Sequence, residues 1–275
     1  LQRVKRDGIE IDVVPSDAEG TLDVGALERM IDARTVLIAV TWIPTNGGLV
    51  NPAAEVGRVA RKHGIPYLLD ACQAVGQMPV DVDELGCDFL SATGRKFLRG
   101  PRGTGFLYAR KTLMEKIEPA MIDHSAAEWT SRDKYALRAD ARRFESWENA
   151  YALRLGFSEA IRYALDIGLD AIQDRAWMLA DRLRAQLAEL PNVSITDTGA
   201  KHCAIVSFSI DGVEPAPIAQ ALRADGINVS VSQPSSTRID AEKRNLPYVL
   251  RASPHYYNDE AEIDRFMAAL AALIG

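Results

Sequence analysis

The stretch Asp88-Phe-Leu-Ser-Ala-Thr93-Gly-Arg-Lys96-Phe-Leu-Arg-Gly100-Pro-Arg-Gly-Thr-Gly105-Phe-Leu-Tyr-Ala109 decides how the rest of the chain is read. Its two ends are short apolar runs of strand length, and its middle is basic and glycine-rich. A phosphate loop of the GxxxxGK[ST] type is ruled out, because here the lysine precedes the glycines and no Ser or Thr follows it. A dinucleotide fingerprint is ruled out as well: Gly100 to Gly105 reads GxxGxG and leads into a strand, not a helix. Two readings remain for Lys96. It is a Schiff-base lysine whose amine is made less basic by Arg95 and Arg99, or it belongs to a solvated, glycine-flexed turn.

Working outward, strands and helices alternate. Val36 to Trp42 is a continuous β-branched run, as expected of a strand covered on both faces. A helix is expected from Pro52 to Lys62, with Pro52 in its first turn and Gly64 as its stop. Strands follow at 66–70, 88–93 and 105–109, and Ile9 to Pro15 reads as another. Residues 119–146 read as an irregular excursion. Helices are expected from Glu148 to about Asp166 and from Leu169 to Leu190, broken at Gly168. Beyond them come strands at 204–210, 227–231 and 248–252, with helices at 215–224 and 259–274. The pattern predicts an α/β protein whose large domain, residues 1–168, holds a mostly parallel sheet between helix layers. A smaller α/β domain, 169–275, follows.

Composition narrows the classes of partner. The chain has 275 residues, 47% hydrophobic and 25% charged, with a formal net charge of −6. That balance leaves no basic footprint for nucleic acid. Three cysteines, Cys72, Cys87 and Cys203, stand far apart without metal-ligand spacing, so no metal site is expected, and they fit a reducing cytoplasm. No apolar run approaches the roughly 20 residues that span a bilayer.

In a parallel sheet, ligands bind beyond the carboxyl ends of the strands. Asp70 ends one strand, Gln73 follows it, and Lys96 comes just after another. Asp70-Ala-Cys-Gln73, Ser91-Ala-Thr-Gly-Arg-Lys96 and Gly100-Pro-Arg-Gly-Thr-Gly105 together resemble the signature of class V aminotransferases, fold-type I enzymes that use pyridoxal 5′-phosphate (PLP). That group includes cysteine desulfurases and isopenicillin N epimerase-like proteins. Gly47-Gly-Leu-Val-Asn-Pro52 and Leu250-Arg-Ala-Ser-Pro-His-Tyr-Tyr-Asn258 extend the likeness over nearly the whole chain.

The resemblance implies a role for each matching residue. Lys96 forms the internal aldimine and later takes the substrate Cα proton. Asp70 pairs with the pyridinium nitrogen, and Gln73 donates to O3′ of the ring. Thr93 and Arg95 stand where relatives have Ser and His against the phosphate. Arg251 grips the substrate carboxylate. Thr45 or Asn46 occupies the place of a family Asn near substrate and O3′, and the choice between them stays open. An amino acid substrate and a homodimer are implied too.

Departures from the family pattern shape further expectations. Desulfurases carry a nucleophilic cysteine in a loop upstream of the arginine matched by Arg251; here Ser230-Val-Ser-Gln-Pro-Ser-Ser-Thr237 has none. An aminotransferase, epimerase or C–S lyase is therefore expected, with loop-cysteine desulfurases set aside. Cys72 reads as a small residue beside the cofactor site. Arg143 to Glu148 lacks the family's Gly-Thr, and Trp147 reads as a core residue capping the next helix. Relatives carry a glycine-rich loop and a ring-stacking residue at the front that residues 1–50 do not show, so the large domain reads as N-terminally incomplete. A truncated or non-catalytic relative with weak cofactor binding is the alternative, and a nucleotide-binding α/β domain is a further rival. His63 reads as a helix-end residue, while His255 lies close to the site or serves structure.

Overall fold

The computed structural model describes residues 2–275. Two short helices, α1 (Gln2–Arg6) and α2 (Val24–Met30), come before the first sheet. Ile9 to Pro15, expected as a strand, is not one. Ile9 and Val13 are exposed, and among the described residues no strand lies alongside to take up its backbone groups. An apolar alternation alone does not make a strand when nothing pairs with it.

The first sheet is built from β1 (Ile38–Thr41), β2 (Tyr67–Asp70), β3 (Phe89–Thr93) and β4 (Gly105–Ala109), side by side in that order. The first three run parallel, with Thr41 opposite Asp70 and Asp70 opposite Ser91. Between β1 and β2 lies α3 (Ala53–His63), with Glu55 in its first turn, basic residues in its last, and Gly64 ending it at φ 67°. That left-handed conformation is the one a glycine adopts at little cost. The short α4 (Val82–Leu85), capped by Asp81, leads into β3. β4 turns back antiparallel to β3. The Gly94–Thr104 connection contains no helix, and a parallel return needs a crossover of about a dozen residues or more.

After α5 (Lys111–Met114), the region expected to be irregular contains a hairpin, β5 (Ala127–Ser131) with β6 (Lys134–Leu137). The alternation Glu128-Trp-Thr-Ser, an Arg132-Asp133 turn and Lys134-Tyr-Ala-Leu was the legible signal. Trp147, expected in the core, is 55% exposed, and its ring centroid lies 4.6 Å from that of His124.

α6 (Tyr151–Ile167) and α7 (Leu169–Ala188) meet at Gly168. One stripe of α7 is buried: Ile172, Ala176, Leu179, Ala180, Leu183 and Leu187, spaced as one face of a helix. Each buried leucine of that kind contributes about 1.5–3 kcal/mol. The second sheet holds β7 (Val193–Ile195), β8 (Val206–Ile210), β9 (Ser230–Ser232) and β10 (Val249–Ala252) in the order β7-β8-β10-β9, all antiparallel. Helices α8 (Pro215–Ala224), α9 (Arg238–Arg244) and α10 (Glu260–Ile274) complete it, α10 opening on a reciprocal Asp259–Glu262 cap.

The 44–51 loop joins the two sheets. Gly48 donates its N–H to Asp197 (2.9 Å), Cys203 donates to the Gly48 carbonyl, and Val50 donates to that of Lys201. The Asp197 side chain is fully buried, 2.9 Å from Arg184, and also accepts from the Ser207 N–H and hydroxyl. A buried carboxylate is tolerable only when paired and hydrogen-bonded in this way.

Candidate active site

Asp70 stands at the carboxyl end of β2, where a parallel sheet opens to ligands. Its carboxylate accepts the Cys72 N–H at 2.9 Å. Burial, then a hydrogen bond to Asp70, pushes the Cys72 thiol up to about 11. The chain turns tightly after Asp70, so that Gln73 points to the 44–51 loop and donates to the Thr45 hydroxyl at 3.2 Å. Behind it, fully buried Gln77 donates to the Gln73 carbonyl and accepts from Trp177 Nε1 and the Ala204 N–H, both at 3.2 Å. Nothing in the sequence but its place four residues after Gln73 marked Gln77.

Lys96 follows β3 in a turn closed by Arg99 N–H to the Lys96 carbonyl (2.8 Å) and Gly100 N–H to the Gly94 carbonyl (2.7 Å). The turn packs against the segment after β2: a Cβ on Gly76, which has φ 91°, would fall 2.5 Å from Leu98 N. Burial holds the Lys96 amine below the usual lysine range. Arg95 and Arg251 push the same way, while Cys72 and Asp70 oppose them. The residues that act on this amine come from β2, the lysine turn and β10.

Arg251, on β10, donates through Nη1 to the Thr45 carbonyl at 2.5 Å and to its hydroxyl at 3.4 Å. Its Nε is buried without a partner, and burial lowers its pKa. A guanidinium with an unanswered donor is poised for an incoming anion. Of the two residues left open by sequence, Thr45 joins Gln73 and Arg251. Asn46 turns away, its amide donating to the Gln233 carbonyl (3.2 Å) and the Thr237 hydroxyl (3.1 Å). Thr93 donates to the Thr104 carbonyl at 3.4 Å, and Arg95 is exposed beside Lys96. Among the described residues, no group of His, Cys, Asp and Glu is arranged to hold a metal, and no helix is long and apolar enough to cross a membrane.

The family model described as aminotransferase class-V matches residues 1–266. The chain belongs to that family. Among curated relatives, a probable cysteine desulfurase of Methanothermobacter thermautotrophicus is 31% identical over 99% of this chain and 69% of its own length. Among solved structures, the apo cysteine desulfurase of Thermococcus onnurineus superposes with a TM-score of 0.92 at 30% identity, covering 99% of this chain and 68% of that one. A complex of the cystine C–S lyase C-DES with cysteine persulfide superposes at a TM-score of 0.78 and 26% identity, over 90% of this chain and 64% of that one. The chain thus spans about two thirds of the length of the relatives it matches.

These likenesses bear out the fold-type I α/β architecture, and the family makes the chain a PLP-dependent enzyme. They overturn the expectation that set desulfurases aside: relatives at about 30% identity over nearly the whole chain are cysteine desulfurases. The missing cysteine in Ser230–Thr237 was too narrow a ground for excluding them, and the non-catalytic alternative gains no better support. The residues present fit PLP. They offer an amine of lowered basicity for an aldehyde, a strand-end carboxylate, and an arginine with an orphaned donor.

Proposed function

We propose that this chain removes sulfur from a cysteine-class amino acid with the help of PLP. The observation that carries the reading is the convergence of Asp70, Lys96 and Arg251, from two sheets, with the lysine amine held below its usual range. The desulfurase relatives support it. Bound PLP supplies an aldehyde that condenses with amines and a ring that withdraws electrons from the substrate Cα.

The chain's own groups do the rest. Lys96, half-buried and less basic than a surface lysine, moves the proton at the substrate Cα. Asp70 holds a proton on the ring nitrogen, and Gln73 orients the ring from its perch on Thr45. The Thr93 hydroxyl and the Arg95 guanidinium take the phosphate. Arg251 binds the substrate carboxylate through Nε, while Nη1 stays anchored on Thr45. The segment Ser230–Thr237 holds no thiol, so a thiol from solution accepts the sulfur as a persulfide and alanine is left.

Residues 1–168 form the cofactor domain in this reading and 169–275 the smaller one. A homodimer belongs to this reading through the family likeness. Three unpaired cysteines suit a cytoplasmic setting. The test is direct. One portion of the PLP-loaded chain is reduced with borohydride and mapped by peptide mass, and a second, unreduced portion is given cysteine with dithiothreitol. Cofactor fixed on Lys96 with alanine and sulfide released in equal amounts supports the reading. Cofactor uptake with no alanine removes the desulfurase assignment, and no uptake at all removes the whole proposal for this chain.

A further inference from the structure

His255 is buried, and both of its ring nitrogens are engaged. The Tyr256 N–H donates to Nδ1 at 3.0 Å, so Nδ1 carries no proton. The ring proton therefore sits on Nε2, which donates to the Phe97 carbonyl at 3.1 Å. Phe97 is the residue immediately after Lys96. The ring plane is fixed by stacking on Phe97 (centroids 5.1 Å apart, 28°) and on Tyr257 (4.6 Å, 13°). Burial pushes this imidazole down to about 4, which keeps it neutral in ordinary buffers.

What His255 connects gives the arrangement its meaning. The lysine turn's other bonds are local: Gly94 N–H to Thr104, Gly100 N–H to Gly94, and Arg99 N–H to Lys96. The bond from His255 comes from the second sheet's side of the molecule. On that side His255 is held firmly: its N–H donates to Asn258 Oδ1 (2.8 Å), and Asn258 Nδ2 donates to Glu262 Oε2 (2.9 Å) at the α10 cap. Arg175 donates to the Asn258 carbonyl at 3.1 Å. His255 also lies four residues beyond Arg251, in the loop that leaves the same strand.

We infer that His255 is a positioning residue: through the Phe97 carbonyl it sets where the Lys96 turn sits relative to Arg251. The inference deepens the proposed reading and rests on Lys96 being its reactive amine. Lys96 owes its lowered basicity chiefly to burial, which depends on the turn staying seated. A turn released from His255 lets water reach the amine, and Lys96 becomes more basic and less reactive at neutral pH.

The experiment reads that amine without cofactor. Lys96 in the native protein is labelled with acetic anhydride across a pH series, and its peptide is quantified against a free-amine standard. His255→Phe keeps the stacking and loses the donor; His255→Gln offers an amide N–H near the place of Nε2. With each rate scaled to its own high-pH plateau, which removes differences in reagent access, the Phe variant is expected to label about fivefold more slowly at neutral pH, the scale of one lost hydrogen bond, with the Gln variant within about twofold of the native value. Native-like labelling in the Phe variant overturns the inference. Equal slowing in the Phe and Gln variants also overturns it, because then the donated bond is not what matters. Should the Phe variant not fold, His255→Asn, too short to reach Phe97, takes its place under the same criteria. PLP uptake, measured separately by absorbance, distinguishes the two proposals. Slowed labelling without uptake in the native protein leaves the positioning role and removes the PLP reading; uptake with unslowed labelling does the reverse.

Discussion

Arg251 reaches from β10 of the second sheet to the Thr45 carbonyl in the loop that leaves β1, at 2.5 Å. The same threonine's hydroxyl receives Gln73, from the segment after β2. One small residue thus joins three parts of the candidate site, and Arg251 still has Nε free inside the protein.

That free donor makes Arg251→Lys informative. Lysine keeps a positive charge but cannot both anchor on Thr45 and offer a planar pair of donors to a carboxylate. Loss of a charge-assisted hydrogen bond costs about 1.5–3 kcal/mol, or roughly 10- to 150-fold in binding. The expected result is a KM for cysteine raised by that factor with a smaller change in kcat, measured by steady-state alanine release. An unchanged KM would mean that the carboxylate is held elsewhere.

Asp197→Ala tests the joint between the sheets. The Asp197 side chain is fully buried and Arg184 nearly so, and the carboxylate also holds the Gly48 N–H and both donors of Ser207. Removing the buried carboxylate leaves Arg184 with only the exposed Asp181 as counter-charge (3.0 Å) and strands the buried donors of Gly48 and Ser207, at a cost of about 3–5 kcal/mol. Urea unfolding is expected to show a loss of that size. Because the 44–51 loop carries Thr45, cofactor affinity should fall with it.

Stability should also depend on pH through His255. Its folded-state value, about 4, lies below the ordinary 6.5, so the unfolded chain takes up a proton more readily than the folded one. The stabilising contribution is therefore complete above pH 6.5 and is lost as pH falls towards 4. Below that it changes no further. The loss amounts to about 3 kcal/mol. Urea midpoints at pH 7, 5.5 and 4 are expected to decline more steeply for the native protein than for His255→Gln. Parallel declines would show that other groups carry the acid sensitivity.

Much of this site was legible because its residues lie at strand ends within short motifs. Asp70, Gln73 and Lys96 follow from two strands and the turns after them, and the structure brings them to one place. Thr45 and Asn46 were indistinguishable by counting, because neighbouring residues of a loop point in opposite directions and only tertiary contacts decide which points inward. The buried support of Gln77 and Asp197 lay beyond sequence reading for a related reason, and for His255 the sequence offered a place near the site or in the structure but no partner. Each bonds to partners far along the chain, such as Ala204, Gly48 and Phe97. The strand expected at Ile9 to Pro15 failed because pairing is a property of neighbours, not of the segment.

The thiols bear on where the sulfur goes. Burial raises Cys72 and Cys87 to about 11 and Cys203 to about 12, and for Cys72 the hydrogen bond to Asp70 adds to the effect. A thiol, unlike a thiolate, is a poor nucleophile, so none of the three is primed to accept sulfur at neutral pH. Iodoacetamide at pH 7.5 is therefore expected to leave all three largely unlabelled in the native protein and to label all three in urea. Desulfuration should require added thiol and survive Cys72→Ser with kcat within about threefold of the native value, since only a thiol that was never the acceptor is lost. Rapid native labelling of Cys72, together with loss of sulfide release in Cys72→Ser, would instead make Cys72 the acceptor, with Asp70 beside it failing to keep the thiol protonated.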